Sequence, residues 1–427
     1  MENNDNYLDK ISKDNEEKAK PKFYKESSFK GDENDPITRI KKEDFCGDSN
    51  YSSDASEEEK DAVMEGEDKM GDLPMPKSNF SKPPAKKFTG QVKPSNPDYM
   101  QDQLKVGKKP GRNYDPITWD NVFDERELVQ STIPVYFSGT KGPVIFCIHG
   151  AGHSALSFGP FAKACKDFAR VVSFDIRGHG GHQLADETNM PIDILIEECM
   201  QVLEYVIHKY QDASIIICGH SLGGALAAKL TYNIVHPEEE KDLGFDKTHI
   251  KGCFVIDVAE GSALSALPFM EKIVENRPTS FTSVSEAIKW GVMSGQVKNL
   301  ESARVTMPDL IKEENGEFIW NTNLLASKDN WREWFTGMNK CFLDLVLPKT
   351  LVIASNDRMD KELTIAQMQG KFKLVSMFDV GHTIHEDAPE ELASKFKDFI
   401  QVFGINEKYN LKKTITNAAG KEIVIDH

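Results

Sequence analysis

No apolar run in the 427 residues approaches the ~20 that a helix needs to cross a bilayer, so a membrane-spanning chain is not expected. A basic surplus is also missing. Lys and Arg number 52 against 68 Asp and Glu, a net charge of −16, which argues against nucleic acid as a partner and leaves room for a basic one. The opening Met1-Glu2-Asn3-Asn4-Asp5 has neither the basic nor the apolar region of a secretory signal. Cysteine is sparse and unpatterned: Cys46, Cys147, Cys165, Cys199, Cys218, Cys253 and Cys341, with no C-x-x-C pair. Cys147, Cys218 and Cys253 sit inside apolar, strand-like runs, where a thiol behaves as a small hydrophobe. An odd, scattered set points to a reducing compartment, with neither disulfides nor zinc. The cytoplasm is the expected location, with the nucleus as a second one.

Apolar content is also modest, 39% with a mean hydropathy of −0.47, which implies that part of the chain does not fold. The length allows one large domain with extras, or two domains. Residues 1–106 carry the polar excess. Charges of both signs, Asn, Ser and Pro dominate there, acids gather between Glu57 and Asp72, and Lys82-Pro83-Pro84-Ala85-Lys86-Lys87 follows. No apolar periodicity persists, so this segment is expected to be a disordered tail, either simply solvated or used for docking. Residues 404–427 form a C-terminal tail with no assigned structure.

What the sequence does contain is organised around Ser214-Ile215-Ile216-Ile217-Cys218-Gly219-His220-Ser221-Leu222-Gly223-Gly224-Ala225. An apolar, strand-like run meets a G-x-S-x-G turn, and a helix-like run follows at once. The bare pattern is weak, since it arises by chance in roughly one chain in seven of this length. Strand before and helix after give it meaning, because that setting pushes the serine hydroxyl into the open. Ser221 is therefore the candidate nucleophile. The Leu222 N–H, at the helix start, would face a developing oxyanion.

Along the chain, strand-like runs alternate with helical periodicity. Pro143-Val144-Ile145-Phe146-Cys147-Ile148 ends in His149-Gly150-Ala151-Gly152, and Arg170-Val171-Val172-Ser173-Phe174 ends in Asp175-Ile176-Arg177. Residues 192–209 place apolar side chains at helical spacing. Ile250-Lys251-Gly252-Cys253-Phe254-Val255-Ile256 ends in Asp257-Val258-Ala259-Glu260. Residues 262–345 lack strand signals and read as helices. Strands resume at Thr350–Ser355 and Phe372–Phe378, and Gly381-His382-Thr383-Ile384-His385-Glu386-Asp387 follows. Alternation of this kind predicts an α/β fold, a mostly parallel sheet with helices on both faces. The expected layout is a core in two parts, 107–261 and 346–403, interrupted by a helical lid insertion at 262–345. Each polar cluster falls at the carboxyl end of a strand, so the sheet would gather them into one cleft.

A serine acyl-transfer site needs a base, an acid that orients it, and oxyanion donors. The base candidates are His382 and His385. Gly381 gives the loop freedom to aim His382, whereas His385 is expected to pack against a helix start. Both Asp257 and Asp357 end strands after the Ser221 strand, and spacing leaves both open with a slight lean to Asp357. Ala151 and Gly152 are candidates for the second oxyanion N–H. Asp175 and Arg177 are expected to pair and hold a turn. Asp387 and Glu390 could cap the last helix, and Glu260 could line the cleft or cap a helix. His149, His153, His179 and His182 lack a metal-ligand pattern, so no metal site is predicted.

Beyond these motifs, five stretches are more specific: His149–Ser157, Ile256–Ala263, Trp290–Val305, Thr364–Phe372 and Gly381–Pro389. Together, in order, they resemble the protein phosphatase methylesterases, a family of α/β-hydrolases, over roughly residues 107–403. The resemblance implies removal of the methyl ester from the C-terminal leucine carboxylate of the type 2A protein phosphatase catalytic subunit. It also implies that the triad acid is Asp257, in the I-D-V-x-E-G stretch, with Asp357 as the alternative. Only Lys312-Glu313-Glu314-Asn315-Gly316-Glu317 stands where the family often carries a long acidic insertion. The implied triad is Ser221, Asp257 and His382, with no cofactor or metal, acting in a monomer. Arg304, Trp334 and Glu260 are expected to bind substrate, with the aromatic-rich lid (Trp290, Trp331, Trp334, Phe335) as either a groove for the phosphatase tail or a small core of its own. The rival readings are a small-molecule esterase or lipase of this fold, and a phosphatase-binding protein without catalysis.

Overall fold

The computed structural model describes residues 112–182, 188–237, 243–355, 359–405, 413–416 and 422–425. The chain divides into two units, residues 1–95 and 96–427, and every described residue lies in the second. The expected tail at 1–106 and the alternative acid Asp357 lie outside the described residues.

In chain order the elements are β1 (Glu125–Val129), β2 (Ile133–Ser138), β3 (Val144–Ile148), α1 (Gly159–Cys165), β4 (Arg170–Phe174), α2 (Ile192–Lys209), β5 (Ile215–His220), α3 (Leu222–Val235) and β6 (Ile250–Ile256). The intervening segment holds α4 (Glu260–Asn276), β7 (Ser280–Phe281), α5 (Val284–Met293), α6 (Leu300–Thr306), β8 (Ile311–Glu314), β9 (Glu317–Trp320), α7 (Trp331–Phe335) and α8 (Met338–Asp344). The chain then continues through β10 (Lys349–Ile353), α9 (Lys361–Met368), β11 (Lys373–Ser376), α10 (Ile384–Asp387) and α11 (Pro389–Val402). A last antiparallel hairpin, β12 (Lys413–Thr416) with β13 (Glu422–Ile425), occupies part of the expected C-terminal tail.

Eight strands form one sheet in the order β1-β2-β4-β3-β5-β6-β10-β11. Pairings β1–β2 and β2–β4 are antiparallel, and all pairings from β4 to β11 are parallel. The inner strands read as unbroken apolar runs because both faces are covered. Along β3, Val144, Phe146 and Ile148 enter one core with Leu195 and Val202 of α2 and Leu226 of α3. Ile145 and Cys147 enter the other, with Phe161 of α1 and Phe396 of α11. This is the period-two alternation of a strand, used here to feed two hydrophobic layers. All six described cysteines are free thiols, five of them buried.

Residues 262–345 are not wholly helical, as the sequence reading had them. β7, β9 and β8 form a small antiparallel sheet around the hairpin turn at Asn315 (φ 55°) and Gly316 (φ 85°). Its strands are two to four residues long and mostly half-buried or exposed, so no hydrophobic period betrays them. The aromatics of this segment also divide. Phe281, Trp290 and Trp320 make a local cluster in which Trp320 meets both other rings edge to face. Trp331, Trp334 and Phe335 instead join the main core with α2 and α3.

Candidate active site

Ser221 stands between β5 and α3 with φ 53° and ψ −119°, in a region that a non-glycine residue enters only under local strain. Two glycines make that turn possible. A Cβ on Gly219 would lie 1.9 Å from the Gly223 carbonyl oxygen, and one on Gly223 would lie 2.0 Å from that of Ile148. The Ser221 N–H donates to the Ile256 carbonyl at 3.0 Å, fixing the turn against β6. Leu222 begins α3, so its N–H is one of the first-turn donors with no intrahelical acceptor.

Asp257 follows β6 directly and also has a left-handed backbone, φ 54°. Its N–H donates to the Val352 carbonyl at 2.7 Å, and its Oδ1 accepts the Ala354 N–H at 2.9 Å. Its Oδ2 is 2.7 Å from His382 Nδ1. The Asp257 side chain is fully buried while the imidazole is 42% exposed, so the pair joins core to cleft. With Nδ1–H assigned as donor to the carboxylate, His382 Nε2 holds the lone pair that a general base requires. On the other side, His220 Nε2 is 2.9 Å from the His382 carbonyl oxygen, to which it donates. The His220 and His382 rings lie 4.6 Å apart.

The loop after β3 reaches the same place. A Cβ on Gly150 would lie 3.2 Å from Ser221 Cβ. Gly152 has φ 75° and lies against Leu324, whose Cδ1 would be 2.9 Å from an added Cβ. The expectation that Gly152 donates to the oxyanion does not hold in this state. Its N–H already donates to His179 Nε2 at 2.9 Å. His179 uses its other nitrogen on the Arg177 carbonyl at 2.8 Å, so both ring positions are committed to backbone. His149 does the same, with Nδ1 on the Gly150 carbonyl and Nε2 accepting the Ile176 N–H. Burial pushes His179 down to about 4 and holds His149 well below its usual range, so both rings stay neutral and staple the β3 loop to the β4 loop. Asp175 does hold the turn, through backbone N–H groups of Ala155 and Gly181, while Arg177 bonds Glu198. Among the described residues, no cluster of His, Cys, Asp and Glu could hold a metal ion.

The three expected substrate-binding residues do other work. Trp334 has no exposed surface, and its indole N–H donates to the Met190 carbonyl at 2.8 Å, so it is a core residue. Arg304 donates through Nε to the Asp115 carbonyl at 2.7 Å and pairs with Glu301, which ties residue 115 to α6. Glu260 accepts the N–H groups of Gly337 and Asn339, capping the start of α8 rather than lining a cleft. His385 is buried and stacks on Phe158 at 4.3 Å, as expected of a packing histidine. Asp387 does not cap α11, whose N-cap is Ala388. It accepts from Gly381 and Lys298 instead. The sequence reading passed over His220, whose only signal was its place beside the nucleophile.

Residues 144–395 match the alpha/beta hydrolase family. Among solved structures, the chain resembles E-2-(acetamidomethylene)succinate hydrolase, with a TM-score of 0.52 at 17% identity over 65% of this chain and 98% of that one, a likeness of fold alone. Relatives by sequence include the probable protein phosphatase methylesterase 1 of Caenorhabditis elegans, 36% identical over 299 residues, spanning 69% of this chain and 79% of that protein. Protein phosphatase methylesterase 1 of Bos taurus is 32% identical over 352 residues (70% and 89%), and that of Schizosaccharomyces pombe 35% over 296 (66% and 84%). With such identity sustained over most of both chains, this protein belongs to the protein phosphatase methylesterase family, within the alpha/beta hydrolases, and is a carboxylic-ester serine hydrolase.

Proposed function

We propose that this protein removes the methyl ester from the C-terminal leucine of the type 2A protein phosphatase catalytic subunit, using Ser221, His382 and Asp257. The 2.7 Å bond between His382 Nδ1 and Asp257 Oδ2, beside the strained Ser221 turn, is the observation that carries the mechanism. The names of the relatives support the choice of a phosphatase methyl ester as substrate. His382 Nε2 takes the Ser221 proton as Oγ attacks the ester carbonyl. The N–H groups of Leu222 and Ala151 hold the oxyanion. Collapse expels methoxide, which takes the proton from His382 and leaves as methanol. Water then attacks the acyl-enzyme with His382 again as base, freeing the carboxylate and restoring Ser221. Asp257 keeps the imidazole in one tautomer and stabilises its cationic form. The test is incubation with methylated phosphatase catalytic subunit, following methanol release and the demethylated C-terminus. Hydrolysis of short acyl esters with no demethylation of the phosphatase would favour the small-molecule esterase reading.

A further inference from the structure

The imidazole of His382 is 42% exposed, so packing alone does not hold it. Its position depends on the backbone that carries it, residues 379–387, and that backbone is laced to residues 296–302 of the segment between β6 and β10. The Asp387 carboxylate is the central tie. Oδ2 accepts the Gly381 N–H at 2.6 Å, one residue before the base, and Oδ1 accepts the Lys298 N–H at 2.7 Å. Around it, Thr383 Oγ1 donates to the Gln296 carbonyl at 3.0 Å, and Ser302 Oγ to the Glu386 carbonyl at 2.6 Å. Lys298 Nζ donates to the Asp379 carbonyl at 3.3 Å. Asp379 itself is held at φ 60°, a conformation that persists only where its surroundings enforce it.

We propose that Asp387 is a positioning residue for the base: its carboxylate splices the His382 loop to the 296–302 segment, so that the aim of His382 is set by that segment as well as by Asp257. The inference rests on His382 being the base. Two backbone donors converge on one side chain, and only a carboxylate offers an acceptor oxygen to each. An amide offers one oxygen, and its NH2 would face the other N–H. Both bonds are short and charge-assisted, the kind that fixes geometry rather than merely satisfying a donor. The segment expected to form either a substrate groove or a small core of its own thus also acts on the triad.

The full-length protein with a small activated acyl ester tests this, since that substrate makes no contact that depends on a phosphatase. Asp387→Asn is expected to lower kcat by about 10²-fold with KM within about twofold, as a misaimed base does. The downfield proton resonance of the His382 Nδ1–H, the signature of its bond to Asp257, should broaden or move. Should Asp387→Asn not fold, Gly381→Ala serves. Its Cβ would lie 3.0 Å from Asp387 Oδ2 and push the carboxylate aside without removing it, so a loss of about tenfold in kcat with the same spectral change is expected. Unchanged kcat, or a raised KM with unchanged kcat, would overturn the proposal, as would an unmoved resonance. His382→Ala is the reference. If it retains full activity, the base assignment fails, and this inference fails for that separate reason.

Discussion

Trp334 offers the sharpest contrast between a groove residue and a core residue. Its side chain is fully buried beside Trp331, 6.4 Å away between ring centroids, and its N–H is bonded to the Met190 carbonyl. Truncation to alanine removes a buried indole, a change that costs about 3–5 kcal/mol in a core that relaxes only partly. The Met190 carbonyl then loses its partner, adding about 1–3 kcal/mol if no water replaces it. Against a typical stability of about 5–15 kcal/mol, such a variant stands near the edge of folding. Trp334→Phe is the better probe. It keeps most of the apolar contact and deletes the N–H, with an expected loss of about 2–3 kcal/mol. Guanidinium unfolding followed by circular dichroism should show a lower midpoint with an unchanged m-value. Activity of the folded variant on methylated phosphatase and on a small ester should fall by the same factor or not at all. An unchanged midpoint, joined to a selective loss on the phosphatase, would refute the reasoning and return Trp334 to the substrate groove.

Asp257→Asn should lower kcat by about 10⁴-fold, because the amide stabilises the wrong tautomer of His382, and a loss under tenfold would remove Asp257 from the triad. Gly223→Ala should leave little soluble protein, since its Cβ would meet the Ile148 carbonyl oxygen at 2.0 Å, and normal yield with full activity would contradict the turn geometry. Arg304→Ala should cost about 0.5–1.5 kcal/mol through the lost Asp115 contact and should not discriminate between substrates; selective failure on the phosphatase would count against that role. Acid should weaken the fold through His179, whose folded value lies near 4 against about 6.5 unfolded. Between those values the unfolded chain binds more protons, so this contribution is complete above pH 6.5 and is lost as pH falls towards 4, with a slope of up to about 1.4 kcal/mol per pH unit. His179→Gln should flatten that slope in urea titrations run across the range, and identical slopes would assign the acid sensitivity elsewhere.

The sheet was legible because its inner strands are covered on both faces, so Val144–Ile148 and Ile215–Cys218 announce themselves as apolar runs. Ser221 and His382 stand out as candidates for a related reason: glycines flank the first and precede the second where the backbone must turn sharply. What stayed hidden depends on contacts distant in sequence. Glu260 meets Gly337 and Asn339, Arg304 meets Asp115, and Trp334 meets Met190, and no local pattern encodes such pairings. Gly152 looked like a free donor because nothing local signals that His179 lies within reach. The β8–β9 hairpin is a different case. Asn315-Gly316 is a strong turn signal for a tight hairpin, but the strands beside it are too short and too charged to show alternation.

The left-handed backbone at Ser221 has a consequence for any effort to harden this enzyme. A φ of 53° costs a side-chain-bearing residue on the order of 1–3 kcal/mol, and glycine is spared most of it. Ser221→Gly therefore relieves the turn at the same stroke that removes the proposed nucleophile. A library sorted by heat resistance alone would enrich that variant, expected to be inactive, over its working parent. Durability and turnover pull against each other at this one residue, so a screen for hardier forms has to score both at once.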